Sequence, residues 1–206
     1  MGHGISWLAD RWDDFHLTFA RGIAPQELGR RLGADPTDVL PAGTARDAYQ
    51  CVDTERGRWR VARLGECDGW SFAIEYGYWS RAWSHTTHVA EAGAEVVHLN
   101  PKPDDPPAEF SYARDGRYIC GYSICEEDDR DGEEPDLLVE SLRKAGVPLV
   151  GYPTGDDEVE DDVDELTRRS LVAIESHFRL SLPPHLVSEA PLPMIVTSRT
   201  EPSFQH

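Results

Sequence analysis

Residues 110–124 read FSYARDGRYICGYSI. Asp115-Gly116 marks a turn between two runs of alternating aromatic and small or polar residues, which is a hairpin pattern. A two-residue loop would put Tyr112 opposite Ile119 and scatter the aromatics over both faces. A three-residue loop, Arg114-Asp115-Gly116 with a glycine bulge, puts Ala113 opposite Arg117, Tyr112 opposite Tyr118 and Phe110 opposite Cys120. That register gathers Phe110, Tyr112, Tyr118, Cys120, Tyr122 and Ile124 on one face. A slip of one residue would undo the separation, so the bulged turn is the expected one.

The same period of two recurs upstream. Gly69–Tyr76, GWSFAIEY, sets Trp70, Phe72, Ile74 and Tyr76 against Ser71, Ala73 and Glu75. Phe15–Arg21, FHLTFAR, sets Phe15, Leu17 and Phe19 against His16, Thr18 and Ala20. Trp59, Val61 and Arg63 alternate, Val96–Leu99 is a short apolar strand, and Pro101–Pro107 reads as a loop.

Helices are signalled at three places. Pro25 suits a first helical turn, Leu28 and Leu32 share a stripe, and Gly33 is placed to close the helix in the left-handed conformation. Asp136–Ala145 carries Leu138 and Leu142 and ends at Gly146. The longest helix is expected from about Asp157 to Leu180 on the spacing of Val159, Val163, Leu166, Ser170, Ile174 and Phe178. Residues 5–14 and Ala45–Tyr49 suggest short helices, and the rest of 34–57 reads as loop. Strands run consecutively rather than alternating with helices. The expectation is an α+β fold: an antiparallel or mixed sheet of about five to six strands with helices packed on one side. Residues 1–187 form one domain in this reading, and 188–206, rich in Pro, Ser and Thr, form a flexible tail.

Composition bounds the function. The 206 residues carry 38 acidic and 20 basic side chains, a formal net charge of −18. Residues 1–120 account for −5 and residues 121–206 for −13. A chain this acidic, with no basic patch, is repelled by nucleic acid and by anionic membranes. No apolar run is long enough to span a bilayer, and the N-terminus lacks a signal peptide, so a cytoplasmic location with reduced thiols at Cys51, Cys67, Cys120 and Cys125 is expected.

Catalytic and cofactor motifs are missing. Phosphate-binding glycine loops and the G-x-S-x-G elbow are absent, so no cofactor and no catalytic residue is expected. His85-Thr-Thr-His88 with Glu91 offers two imidazoles and a carboxylate to a divalent ion on helical spacing, against the plainer reading of surface polar residues. Glu127, Asp129, Asp131 and Gly132 have the first spacings of a calcium loop, but Leu138 stands where the bidentate Glu belongs. Cys120 falls on the apolar face and reads as a small hydrophobe.

Two features remain for recognition. Residues 126–136 and 156–165 are runs of acids that must meet water, a cation or a basic partner. Asp156, Asp157, Glu158, Glu160, Asp161 and Asp162 are therefore candidate partner-binding residues, together with the aromatic and arginine cluster Trp79, Arg81 and Trp83. The leading expectation is a non-catalytic acidic protein that meets a basic protein partner, as an immunity protein, inhibitor or regulator would. The alternative is an enzyme or a small-molecule or metal-binding protein, with its site near His85, His88, Trp79 and Trp83.

Phe19–Gly22 (FARG), Arg31–Pro36 (RLGADP), Gly69-Trp70 with Glu75 and Gly77, Gly93, Asn100 and Phe110–Gly116 (FSYARDG) occur in order over about residues 15–125. This ordered set resembles a family of uncharacterised actinobacterial proteins, a domain of unknown function. The resemblance implies a shared fold and assigns no site.

Overall fold

A computed structural model describes residues 4–10, 15–35, 37–77, 83–100, 109–149 and 163–198, with the backbone alone for 83–85. In chain order the elements are β1 (Phe15–Arg21), α1 (Pro25–Arg31), β2 (Val39–Gly43), α2 (Ala45–Cys51), β3 (Arg60–Cys67), β4 (Trp70–Gly77), α3 (Trp83–Val89), β5 (Glu95–Asn100), β6 (Glu109–Arg114), β7 (Arg117–Ser123), α4 (Val139–Ala145), α5 (Val163–Phe178), α6 (Pro184–Ser188) and β8 (Leu192–Ser198). A 3-10 turn, Ser6–Asp10, precedes β1. The strands form one antiparallel sheet in the order β2-β8-β3-β4-β1-β5-β6-β7. The fold is α+β, as expected, but among the described residues the sheet has eight strands rather than five or six.

Two strands escaped the sequence reading. β2 contains Pro41 and leaves Val39 67% exposed, which suits an edge position and gives no alternation to read. β8 lies in the segment expected to be a flexible tail, and that expectation is corrected. Met194 and Val196 enter the main core, and the strand is inserted between β2 and β3. Pro193 is tolerated because it falls where the β2–β8 register shifts, between Leu40↔Met194 and Gly43↔Leu192.

Helices pack on both faces, not one. The first face buries Phe15, Leu17, Phe19, Trp70, Phe72, Ile74, Tyr76, Phe110 and Tyr122 against α2, α4, α5, α6 and the Ser6–Asp10 turn. The second face buries Ala20, Ala62, Leu64, Ala73, Val96 and Ala113 under Leu28 and Leu32 at α1 and Val89 of α3. Every residue of β4 from Trp70 to Tyr76 is consequently buried. Small residues on the second face let α1 and α3 sit close to the sheet.

Local signals account for several boundaries. Gly33 stands at φ +96° after α1, and the Ala34 amide donates to the Gly29 carbonyl at 3.0 Å, the expected left-handed close. Thr44 and Asp47 form a reciprocal capping box at the start of α2. The expected helix of 136–145 is α4, and α5 is described from Val163; the preceding part of the expected long helix lies outside the described residues.

The decisive hairpin is only partly as expected. The turn is the two-residue Asp115-Gly116, with both φ positive and Arg114 opposite Arg117. That is the turn Asp-Gly favours, because its twist matches the strands. The bulge sits further on, at Ile119, where the register passes from Ala113↔Tyr118 to Tyr112↔Cys120. The displaced bulge still brings Phe110, Tyr112, Cys120 and Tyr122 to one face, now with Phe110 opposite Tyr122. It also turns Ile119 into the main core and removes Tyr118 from it; the Tyr118 hydroxyl donates to Asp131 Oδ1 at 2.6 Å. The extra residue keeps its bonding, since the Glu134 amide donates to the Ile119 carbonyl at 2.8 Å.

Candidate functional site

The second sheet face changes character along its length. Toward α1 it is apolar. Toward the opposite end it carries His16 and Thr18 from β1, Glu75 from β4, His98 and Asn100 from β5, Ser111 from β6 and Thr197 from β8, all buried. Register brings them together: His16 opposes Glu75, Thr18 opposes His98, and His98 opposes Ser111. Thr86 of α3 lies over this end, its hydroxyl 3.1 Å from Ser111 Oγ.

A line of polar atoms crosses three strands. Thr18 Oγ1 donates to Glu75 Oε2 at 3.3 Å and lies 3.0 Å from His98 Nδ1. The His98 and His16 rings stack 13° from parallel with centroids 5.8 Å apart. Glu75 and Thr18 are 0% and 1% exposed, whereas His16, His98, Asn100 and Ser111 keep 7–9%. The imidazoles therefore stand at the outer margin and the carboxyl group at depth.

Glu75 is the electrostatic centre. Its Oε1 makes no hydrogen bond among the described residues, nor does the buried Thr197 Oγ1. Burial pushes the carboxyl group up to about 7, against the opposing pull of Arg60 and Thr18. A carboxyl that titrates near neutrality can hold or release a proton under ordinary conditions.

Thr18 owns a single proton, which makes the line directional. When Glu75 is ionised, Thr18 donates to it and must accept from His98 Nδ1–H, leaving the lone pair on Nε2. When Glu75 is protonated, it can donate to Thr18, whose proton then turns to Nδ1 and places the other on Nε2. The Thr18 hydroxyl thereby couples the protonation of Glu75 to the role of His98 Nδ1 as donor or acceptor.

The residues expected to carry function fare differently. Trp79, Arg81, Asp156, Asp157, Glu158, Glu160, Asp161 and Asp162 lie outside the described residues, as does the loop Pro101–Pro107. The backbone of Trp83 and His85 begins α3, and their side chains are not described. His88 is exposed and its Nδ1 lies 3.1 Å from Glu91 Oε1, on the solvent side of α3. Among the described residues no group of three or more His, Cys, Asp or Glu is arranged to hold a metal ion. The calcium-like spacing is broken structurally: Glu127 turns inward, 3% exposed, and accepts from the Cys125 amide at 3.0 Å.

The exposed acids of 126–136 are partly matched by arginines, through Arg117–Glu133, Arg114–Glu134 and Arg130–Asp136. All four cysteines are free thiols, and burial pushes Cys120 up to about 12, which makes it a poor nucleophile.

Sequence reasoning placed His16, Thr18 and Glu75 on the polar side of their strands and left that side uncovered. The available signal was alanine: Ala20, Ala73 and Ala113 stand on the side set opposite the aromatics. The polar side chains are nonetheless buried, with Thr86 of α3 over Ser111 at this end.

The profile of a family of unknown function, DUF6461, matches residues 6–190. The chain belongs to that family. The matched span takes in both faces of the sheet and every residue of the buried polar layer except Thr197. No curated protein and no solved structure matches. Among the described residues no helix is long and apolar enough to cross a membrane.

Proposed function

We propose that the chain binds a small polar molecule at the His16–His98 margin of the buried layer and exchanges a proton with it. His98 is the exchanging group, and Glu75, acting through Thr18, sets its tautomer. The observation that carries this reading is the continuous Glu75–Thr18–His98 line, with the carboxyl group sealed and the imidazole at the margin. A purely structural strand has no need of an ionisable group at zero exposure, because its desolvation works against the fold. This moves the enzyme or binding alternative from His85 and His88 to the polar layer of the sheet.

The test is a set of small hydroxy, keto and amino acids added to protein with isotope-labelled histidine. The expected result is that at least one class shifts the His98 and His16 ring resonances, and that Glu75→Gln weakens the response. Rings that respond to no member between pH 5 and 9 would overturn the reading.

A second reading is a non-catalytic protein that meets a basic partner. Its support is the −13 carried by residues 121–206, with Glu126, Asp128 and Asp129 exposed beside the matched acids. Complementary charge accelerates encounter and is screened by salt. Replacing the acids of 156–162 by their amides should slow association with such a partner at low salt. An association rate equal at low and high salt removes this reading.

A further inference from the structure

On the first face, at the same end of the sheet, the short elements leave a cavity of about 410 Å³. Its walls include Trp7, Phe15, Tyr49 and Tyr76, with Arg46 and Gln50 at the rim. The rings form an aromatic box: Tyr49 meets Tyr76 edge-on at 4.6 Å, and Phe15 lies 6.2 Å from Tyr76. The indole N–H of Trp7 already donates to the Gly4 and Leu182 carbonyls, so Trp7 offers the cavity only its ring. A volume at the lower end of the small-ligand range, lined mostly by rings, suits one flat molecule of two fused rings.

The charge around it is specific. Arg63, 0% exposed, stands directly behind Tyr76 and donates to its hydroxyl at 3.0 Å. The other donors of Arg63 go to the carbonyls of Gly43, Leu186, Val187 and Ala190. Among the described residues it makes no ion pair, although its charge is felt by Asp47 nearby. Arg46 adds a second cation at the rim. One acid is close by: Asp47 accepts from the Thr44 amide and hydroxyl and stays ionised, set against both Arg46 and Arg63. Two guanidinium groups against one carboxylate leave this aromatic cavity with an excess of positive charge in a chain of net charge −18.

We infer that the cavity is a binding site for a small planar aromatic anion, such as an aryl carboxylate, stacked among Trp7, Phe15, Tyr49 and Tyr76 with its charge toward Arg46. The site lies across the sheet from the Glu75 layer and does not depend on the function proposed there.

The experiment uses 2-naphthoate as probe, followed by calorimetry and by Trp fluorescence, with 2-naphthylmethylammonium as the oppositely charged control. Naphthoate should bind at least about tenfold tighter than the cation, a difference of about 1.4 kcal/mol. Arg46→Gln should weaken naphthoate about three- to tenfold without affecting the fold, because Arg46 is exposed. Tyr49→Ala, also at an exposed position, should weaken both probes. Glu75→Gln should leave naphthoate binding unchanged, which separates this site from the other. Equal binding of the two probes, or no naphthoate binding at millimolar concentration, overturns the inference.

Discussion

Thr18 and His98 face each other across β1 and β5 with 3.0 Å between hydroxyl oxygen and Nδ1, and the same hydroxyl reaches Glu75 Oε2. One proton thus serves two neighbours. Its position is decided by whether the carboxyl group is charged. Thr18→Val keeps the shape and removes the proton, so the His98 ring should stop reporting the titration of Glu75. Nitrogen spectra of His98 across pH 6–8 measure this; a tautomer change that persists in the variant would break the relay. The variant should lose about 1–3 kcal/mol of stability, from two partners left unsatisfied.

Glu75 gives a pH dependence whose sign is fixed. Its carboxyl group sits near 7 in the folded chain against an ordinary value of 4.5. The folded state holds the proton where the unfolded state has released it, so stability falls as pH rises from about 4.5 through about 7. Glu75→Gln removes the titrating group. The variant and the parent should be similar near pH 4, and the variant should gain by about 3 kcal/mol at pH 8. Urea unfolding at both pH values tests it. A gap that is constant with pH would mean that Glu75 does not titrate in this range.

Arg63 ties β3 to the Leu186 and Val187 carbonyls of α6, to the Ala190 carbonyl just after it and to Gly43 at the end of β2. Lysine has three donors and no planar fork. Arg63→Met should cost about 3–5 kcal/mol, because buried carbonyls lose their donor, and Arg63→Lys should recover less than half. Thermal unfolding of both variants checks this, and a lysine variant equal to the parent would show that charge alone suffices.

Two glycines with positive φ make a contrast. Gly69, at φ +80°, has open space where a Cβ would project, whereas a Cβ on Gly77, at φ +110°, would stand 2.2 Å from the Trp59 carbonyl oxygen. Gly69→Ala should cost about 1 kcal/mol. Gly77→Ala should cost clearly more, since backbone must move as well. Equal losses in denaturant unfolding would remove the steric argument.

The thiols should divide by depth. Cys51, Cys67 and Cys125 keep some exposure, while Cys120 is buried and its Sγ points at the Pro135 carbonyl, 3.5 Å away. A thiol reagent at neutral pH should label the first three in the folded chain and Cys120 only on unfolding. Early labelling at Cys120 would contradict its place in the core.

Strands with strict alternation and a dense apolar side were legible in the sequence: β1, β4, β6 and the outer half of β7. Trp70, Phe72, Ile74 and Tyr76 can only be satisfied together in one core. Edge strand β2 and the Pro-containing β8 were not, because their conformation follows from partners far away in the chain rather than from period. The candidate layer was half legible. His16, Thr18 and Glu75 were correctly set opposite the apolar side, but alternation says which residues share a face and not what covers it. Leu28 and Val89, from two separate short helices, cover the apolar end of that side, and Thr86 stands over Ser111 at the polar end. The cavity was not legible, since Trp7, Tyr49 and Tyr76 come from three distant segments.

The place of β8 has a consequence for biogenesis. Its residues Leu192–Ser198 are threaded between strands that begin at Val39 and Arg60. Until a ribosome has released the chain through Ser198, β3 presents a bare flank and β2 has nothing to join. Nascent chains therefore carry an open, adhesive border until β8 arrives to close it.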